Sequence, residues 1–316
     1  MHFNTGHIFW RRRGGCGVGA GRAWAVGILA AALGLPGLQG HAQDLAADPA
    51  AALHARRVAL QPQLRASAFG APLHLASSDG GDMVEGEVHA EVAHPFADVA
   101  VAFKSATTVC ELLFLHLNVR ACQPSGTAAG ESLTLTVGPK RAQASDLRYR
   151  LDYALRVEAL TPAYLRVTLN APQGPLTTRD YRIVVEVVPV DAGRAFVRLG
   201  YAYQNTTLAR FAMEAYLSTA GRAKIGFTVV GQDDAGRPVL VQGERAALER
   251  NVIRYFLALV ACSSVKAGSP QERMEARLRA WFALTERYPA QLHELSLDEY
   301  LQEKHDDLAA NALHPR

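Results

Sequence analysis

The sequence predicts an α+β fold in which a curved antiparallel sheet wraps around one long C-terminal helix, followed by additional C-terminal helices. About six segments between residues 118 and 203 alternate apolar and polar residues, as strands with one solvated face do. Their connections carry Gly, Pro, Asn and Asp and no long helix, which is typical of antiparallel pairing. A long amphipathic segment, residues 244–261, comes later in the chain. These apolar faces share one core only if the sheet wraps around that segment.

The first 42 residues have the organisation of an export signal. Residues 1–23 contain four arginines and no acidic residue, and an apolar run over residues 24–38 follows. Gly40 and Ala42 supply the small residues of a cleavage site. We therefore predict a signal peptide over residues 1–42, cut near Ala42, and a periplasmic or secreted protein. An uncleaved membrane anchor is the alternative, although the apolar run is shorter than the ~20 residues that span a bilayer.

The body begins with an Ala-rich N-terminal extension, residues 43–82. Within it, the pattern predicts a short helix over residues 53–67 and a short strand over residues 72–78. Residues 83–92 then alternate apolar side chains with three glutamates and His89. This alternation predicts a strand with one apolar face and one solvated face, and it places His89 in solvent.

Two short helices and a run of strands follow. Pro95 opens the first helix, and Thr108 with Glu111 forms a capping box that opens the second. Alternation then predicts strands over residues 118–123, 132–137, 147–158, 165–169, 181–187 and 197–203. The remaining pattern predicts a helix over residues 207–219, a hairpin over 225–242, the long helix over 244–261, a helix over 271–287 and a polar tail helix over 291–311.

Composition and motifs exclude several classes of protein. Hydrophobic residues make up 49% of the chain and charged residues 20%, as in ordinary globular proteins. After residue 42, 29 basic and 30 acidic residues nearly balance, so we expect no nucleic-acid partner. The sequence contains neither a Gly-x-Ser-x-Gly nucleophile elbow nor a His-Glu-x-x-His motif, and we expect neither a cofactor nor a metal.

Three cysteines follow the signal segment. In an oxidising compartment, an odd number indicates one disulfide and one buried thiol. Cys110 and Cys122 are close in sequence and flank a predicted helix-to-strand turn, so we pair them and leave Cys262 free. Metal binding by the pair is the weaker alternative, because no second Cys or His pair has matching spacing.

Three segments resemble the helix-grip superfamily, which includes START lipid-transfer domains, plant pathogenesis-related proteins and polyketide cyclase-like proteins. They are GEVHAEV at residues 86–92, HPFADV at 94–99 and RNVIRYF at 250–256. The resemblance implies a hydrophobic cavity between sheet and helix that holds lipid-like or polycyclic ligands. It places a START-like domain at residues 83–265 and a C-terminal helical extension at residues 266–316.

The chain also resembles a START-like family of exported proteobacterial proteins. That resemblance rests on CELLFLHLN at residues 110–118, GRAKIGFT at 221–228 and WFALTERYP at 281–289. The helix at 207–219 and the helices after residue 270 depart from the superfamily pattern, which predicts a lid or an occluded cavity.

The candidate binding residues are polar side chains on otherwise apolar faces. His116, beside Asn118, could present a polar group to a cavity. The alternative is that His116 is a buried histidine that hydrogen-bonds to the backbone. Tyrosines combine an apolar body with a polar tip, which suits an amphipathic ligand but also plain core packing. Arg222 either complements a helix dipole or binds a ligand anion. The candidates are His116, Asn118, Tyr149, Tyr153, Tyr201, Tyr203, Arg222 and Tyr255.

These residues favour an exported, non-catalytic protein that binds a hydrophobic or amphipathic, lipid-like small molecule between sheet and helix. Two alternatives stay open. One is an envelope structural or interaction protein with a filled interior, and the other is a cyclase- or hydrolase-like enzyme that uses His116. The expected partner is a hydrophobic small molecule or lipid, with peripheral contact to the cell envelope as a further expectation.

Overall fold

The computed structural model describes residues 48–127, 130–138, 148–207 and 224–313. These residues belong to one compact unit that spans residues 46–316. The predicted signal segment, Arg222 and the predicted helix after Thr207 lie outside the described residues. No helix within the described ranges is both long and apolar enough to cross a membrane.

The core of the fold is an eight-stranded, fully antiparallel sheet with the order β1-β2-β8-β7-β6-β5-β4-β3. The strands are β1 (Leu73–Ser78), β2 (Met83–Val92), β3 (Val119–Thr127), β4 (Gly130–Val137), β5 (Tyr149–Thr161), β6 (Tyr164–Gln173), β7 (Arg179–Asp191) and β8 (Arg194–Gln204). The six strands predicted after residue 118 are present, and the short strand of the N-terminal extension forms one edge of the same sheet. A separate hairpin contains β9 (Val229–Gln232) and β10 (Pro238–Leu240).

Eight α-helices are described outside the strands. They are α1 (Pro49–Ala59), α2 (Gln61–Arg65), α3 (Phe96–Val101), α4 (Ala106–Phe114), α5 (Gly243–Ser264), α6 (Pro270–Thr285), α7 (Pro289–Leu292) and α8 (Leu297–Leu313). The long helix α5 packs against β1, β2 and β8, as the sequence predicted. At Gly86 of β2, a Cβ atom would lie 3.1 Å from the Leu248 side chain of α5. Glycine at this position lets the helix reach the inner face of the sheet, the face toward α5.

The outer face of the sheet is partly covered, which corrects the predicted environment of His89. Leu53, Leu60 and Leu64 of the N-terminal helical segment pack on outward-facing residues of β6, β7 and β8. The imidazole of His89 lies 6.1 Å from the ring of Phe196 and is only 3% exposed. Alternation along β2 placed His89 on the correct face, but it did not show that helices cover that face.

Helix α4 begins three residues earlier than its predicted capping box. The Ser105 hydroxyl accepts from the Thr108 backbone N–H at 3.3 Å, and the Thr108 hydroxyl accepts from the Ser105 N–H at 3.2 Å. Thr108 is therefore the third helical residue rather than the cap. Both residues suit an N-cap, so the sequence pattern alone did not distinguish them.

The predicted disulfide between Cys110 and Cys122 is present, and Cys262 is a buried free thiol. The bond joins α4 to β3 across a sequence separation of 12 residues. Closing a loop of this size stabilises the fold by about 3 kcal/mol in the chain-entropy model. It also holds the turn that carries His116.

Candidate functional site

Five tyrosines lie together between the inner face of the sheet and α5. The tyrosine cluster consists of Tyr153 of β5, Tyr181 of β7, Tyr201 and Tyr203 of β8, and Tyr255 of α5. The rings of Tyr181 and Tyr203 stack with centroids 5.2 Å apart, and the ring of Tyr201 lies 5.7 Å from that of Tyr255. Alternation aims the strand tyrosines at the core. The candidate residues named from the sequence did not include Tyr181, although the same alternation places it on this face.

The tyrosine hydroxyls differ in their hydrogen bonding. The Tyr203 hydroxyl donates to Glu244 at 2.9 Å, and the Tyr181 hydroxyl shares a hydrogen bond with Thr178 at 2.7 Å. In contrast, the hydroxyls of Tyr153, Tyr201 and Tyr255 make no hydrogen bond to the described residues. These three residues are 3%, 7% and 9% exposed, respectively. These hydroxyls are not among the fully buried polar atoms without a partner, which in the described residues include Nε2 of His116.

The phenol groups of the cluster stay protonated. Burial raises the pKa of Tyr153, Tyr201 and Tyr255 well above the ordinary value. Neighbouring phenols raise each pKa further, because two phenolates would repel each other. Each hydroxyl therefore remains an uncharged hydrogen-bond donor under physiological conditions.

His116 borders the cluster from the turn between α4 and β3. Its ring centroid lies 4.9 Å from that of Tyr255, and its Nδ1 accepts from the Asn118 backbone N–H at 3.1 Å. Burial, followed by the positive charges of Arg254 and Lys304, lowers the pKa of His116 well below its ordinary value. The neutral ring carries its proton on Nε2, because Nδ1 is the acceptor.

Asn118 and Tyr149 take no part in the ring contacts of the cluster. Asn118 makes its hydrogen bonds through the backbone: its N–H donates to His116, and its carbonyl accepts from the Gly138 N–H at 3.0 Å. Tyr149 is half-buried at the start of β5 and makes no ring contact with the described aromatic residues. The structure therefore brings together five of the candidates: His116, Tyr153, Tyr201, Tyr203 and Tyr255.

The buried carboxylate of Glu249 fastens the β9–β10 hairpin to α5. It accepts from the backbone N–H groups of Phe227 at 2.6 Å and Thr228 at 3.0 Å, and from the hydroxyl of Ser77 at 2.5 Å. At Gly226 a Cβ atom would lie 2.6 Å from a Glu249 oxygen, so glycine makes this approach feasible. Sequence patterns did not identify Glu249 because its partners are far away in the chain.

The C-terminal helices hold the turn that carries His116. The Tyr300 hydroxyl donates to the carbonyl of Leu115 at 2.7 Å. Lys304 donates to the carbonyls of His116 at 2.8 Å and Val119 at 2.6 Å. Burial lowers the pKa of Lys304 to about 7. The predicted polar tail helix thus buries a lysine and a tyrosine, because α8 packs against α6 and β3.

Two surface pockets open on the outer face of the sheet, and Tyr201 of the tyrosine cluster contributes to the lining of one and Tyr181 to that of the other. One has a volume of about 440 Å³ and the other about 280 Å³, and both are lined by Arg182 and Ala202. Within the described part of the chain, no group of three potential metal-ligating side chains comes together.

The buried histidines predict an acid-sensitive fold. Burial lowers the pKa of His89 to about 4, and the pKa of His116 is also lowered, whereas both would titrate near 6.5 in the unfolded chain. Below pH 6.5 the unfolded state therefore binds more protons. The free energy of unfolding should fall by up to about 1.4 kcal/mol per pH unit for each histidine.

Urea unfolding followed by circular dichroism between pH 6.5 and 5 measures this dependence. In the variant His89→Phe, the free energy of unfolding should depend less steeply on pH, by the contribution of one proton, because one titrating ring is removed. His293→Gln is the control, since His293 is exposed. An unchanged slope in His89→Phe would contradict the assignment of His89 as a neutral buried group.

Comparison with solved structures finds partial matches. A START superfamily protein from Mycobacterium smegmatis matches at 12% identity and a TM-score of 0.30, over 44% of this chain and 94% of its own. Norcoclaurine synthase from Thalictrum flavum matches at 17% identity and a TM-score of 0.31, over 45% and 82%. Ginseng major latex-like protein 151 from Panax ginseng matches at 11% identity and a TM-score of 0.28, over 40% and 84%. No protein-family model and no curated protein matches the sequence.

Proposed function

We propose that this protein binds a hydrophobic or amphipathic small molecule between the sheet and α5. The observation that carries the proposal is the tyrosine cluster, which gathers five rings with polar tips between the sheet and α5. Tyrosine combines an apolar body with a polar hydroxyl, which suits an amphipathic ligand. Burial of the ligand's apolar surface would drive association, and the polar groups would orient the ligand.

The environment of His116 supports binding without catalysis. A general base needs a nitrogen free to take the substrate's proton. In this chain Nδ1 already accepts from the Asn118 N–H, and burial keeps the ring neutral. His116 therefore serves as a packed, polar wall beside Tyr255.

We infer that the protein is exported and that residues 1–42 are removed near Ala42. The disulfide supports this inference, because such bonds persist in oxidising compartments. In this proposal residues 83–265 form the binding domain. The extension at 43–82 adds the edge strand β1, and the extension at 266–316 supports the turn with His116.

Native mass spectrometry of the full chain, expressed with its own N-terminus and purified from the bacterial periplasm, tests the proposal. We expect a non-covalent adduct that disappears under denaturing conditions, and uptake of the dye 1-anilinonaphthalene-8-sulfonate once the adduct is extracted. A bare protein mass with no dye uptake would contradict the proposal. That result would favour an interaction protein whose interior is filled by its own side chains.

A further inference from the structure

We infer that the outer face of the sheet binds a zwitterion, a molecule or headgroup that carries an ammonium group and a phosphate or carboxylate. Among the described residues, the charges of Glu85 and Arg182 have no ionic partner, and they lie on either side of the small side chain of Ala202 in one surface pocket. The inference goes beyond the proposed function, because this pocket opens on the face of the sheet that is turned away from α5.

The strand register places the two charged residues in one row across the sheet. Ala202 of β8 is the register partner of Glu85 in β2 and of Arg182 in β7. Because side chains at register partners share a face, all three point outward. Neighbouring strands are about 4.8 Å apart, so the Cα atoms of Glu85 and Arg182 are separated by about 10 Å. The carboxylate and the guanidinium therefore flank a gap over Ala202.

Small residues form the floor of this gap. Ala202 and Gly200 line the pocket of about 280 Å³ together with both charged residues. A Cβ atom at Gly200 would come no closer than 3.6 Å to its nearest neighbour, the Glu87 side chain, so packing does not require glycine there. Strands favour larger, β-branched residues at such positions. The small floor residues keep the space between the two charges open.

The remaining charged residues that line the two surface pockets are paired. Arg198 forms ion pairs with Glu87 and Glu186. Asp180 lies 3.8 Å from Arg179. These side chains are therefore already neutralised, and a charged ligand would have to displace an existing partner to bind them.

Glu85 and Arg182 differ from these neighbours. The guanidinium of Arg182 makes neither an ion pair nor a hydrogen bond with any described residue, although it lines both pockets. The carboxylate of Glu85 accepts only from the uncharged hydroxyl of Ser78, at 3.1 Å. No ion pair joins Glu85 to Arg182 across the gap. Each is free to take a ligand group of opposite charge.

A zwitterion satisfies both charges at once. The planar guanidinium of Arg182 suits the two oxygens of a phosphate or carboxylate, and the Glu85 carboxylate accepts from an ammonium group. An anion alone leaves Glu85 unpaired and is repelled by it, and a cation alone meets the same repulsion from Arg182. A single exposed ion pair stabilises a complex only weakly, so binding requires both ends of the ligand.

Isothermal titration of the full chain with four probes tests the inference. The zwitterions are sn-glycero-3-phosphoethanolamine and γ-aminobutyrate, whereas sn-glycerol 3-phosphate lacks the ammonium group and ethanolamine lacks the anion. We expect at least one zwitterion to bind about fivefold or more tighter than both single-charge probes. Low ionic strength is used because salt screens exposed charges.

Matched variants locate the contact. Arg182→Gln and Glu85→Gln should each weaken zwitterion binding about fivefold or more, because each removes one charge and keeps a side chain of similar length. Ala202→Leu should also weaken binding, since it fills the gap and keeps both charges. Arg156→Gln is the control, because Arg156 is exposed on the same face and lines neither pocket. Near-ultraviolet circular dichroism establishes that each variant is folded.

Vesicles distinguish a soluble zwitterion from a lipid headgroup. The full chain is sedimented with vesicles of phosphatidylethanolamine and phosphatidylglycerol, and with vesicles of phosphatidylglycerol alone. Sedimentation that needs phosphatidylethanolamine, Glu85 and Arg182 identifies the headgroup as the ligand. Titration of a soluble zwitterion without such sedimentation identifies a free molecule.

Two results would overturn the inference. One is that neither a soluble zwitterion nor phosphatidylethanolamine binds, and the other is that the zwitterions bind no tighter than ethanolamine or glycerol phosphate. Equal binding by Arg182→Gln and the unsubstituted chain would also place the ligand elsewhere. None of these results bears on the adduct expected between sheet and α5, which native mass spectrometry tests separately.

Discussion

Replacing Glu249 with alanine is expected to lower the free energy of unfolding by about 3–5 kcal/mol, as breaking a buried, fully bonded charge does. The side chain is 0% exposed. Its loss leaves the backbone N–H groups of Phe227 and Thr228 without an acceptor, together with the hydroxyls of Thr228 and Ser77. Each buried donor left unpaired adds its own desolvation cost.

Urea unfolding of Glu249→Ala, followed by circular dichroism, measures this loss. Glu275→Ala is the matched control, because Glu275 is half-buried on α6 and pairs with Arg279 and His305 near the surface. It should cost about 0–1 kcal/mol. Hydrogen exchange should also show faster exchange of the Phe227 and Thr228 amides in Glu249→Ala. A loss below about 1 kcal/mol with unchanged exchange would refute the role of Glu249 as the anchor of the hairpin.

Replacing Trp281 with alanine should be comparably destabilising, by about 3–5 kcal/mol. Trp281 is 1% exposed, and its indole N–H donates to the Arg254 carbonyl of α5 at 3.0 Å. The ring also lies 5.1 Å from that of Tyr300 and so joins α5 to α8. Its removal leaves a large cavity and takes away the second hydrogen bond of the Arg254 carbonyl, which stays bonded within α5. The attachment of α8 to the His116 turn should weaken with it.

Thermal and urea unfolding of Trp281→Ala measure the loss. Phe282→Ala is the comparison, because Phe282 is the next residue on α6, is only half-buried and also contacts the Tyr300 ring, at 5.7 Å. It should cost clearly less. Limited proteolysis should cut Trp281→Ala within α8 before the rest of the chain. Equal losses in the two variants would argue that general packing on α6, and not the Trp281 bridge, holds the C-terminal helices.

The sequence was most informative where a structural signal repeats over neighbouring residues. Alternation from Leu147 to Val157 predicted β5, and the apolar stripe of residues 244–261 predicted α5. The disulfide followed from two cysteines close in sequence and a compartment inferred from the N-terminus. The same alternation placed four tyrosines of the cluster on one face of the sheet, so much of the candidate site was visible in the pattern.

The sequence alone thus determined the strand run, the long helix, the cysteine pair and the tyrosine-bearing face, because each depends on the spacing of nearby residues. Tertiary structure decided which groups have partners. His89 is buried because α1 and α2 cover its face, and Glu249 is satisfied by Ser77, Phe227 and Thr228, all distant from it in sequence. Hydrogen bonds between residues distant in sequence leave no periodic signal, so only the fold distinguishes an occupied hydroxyl such as that of Tyr203 from the unpaired one of Tyr201.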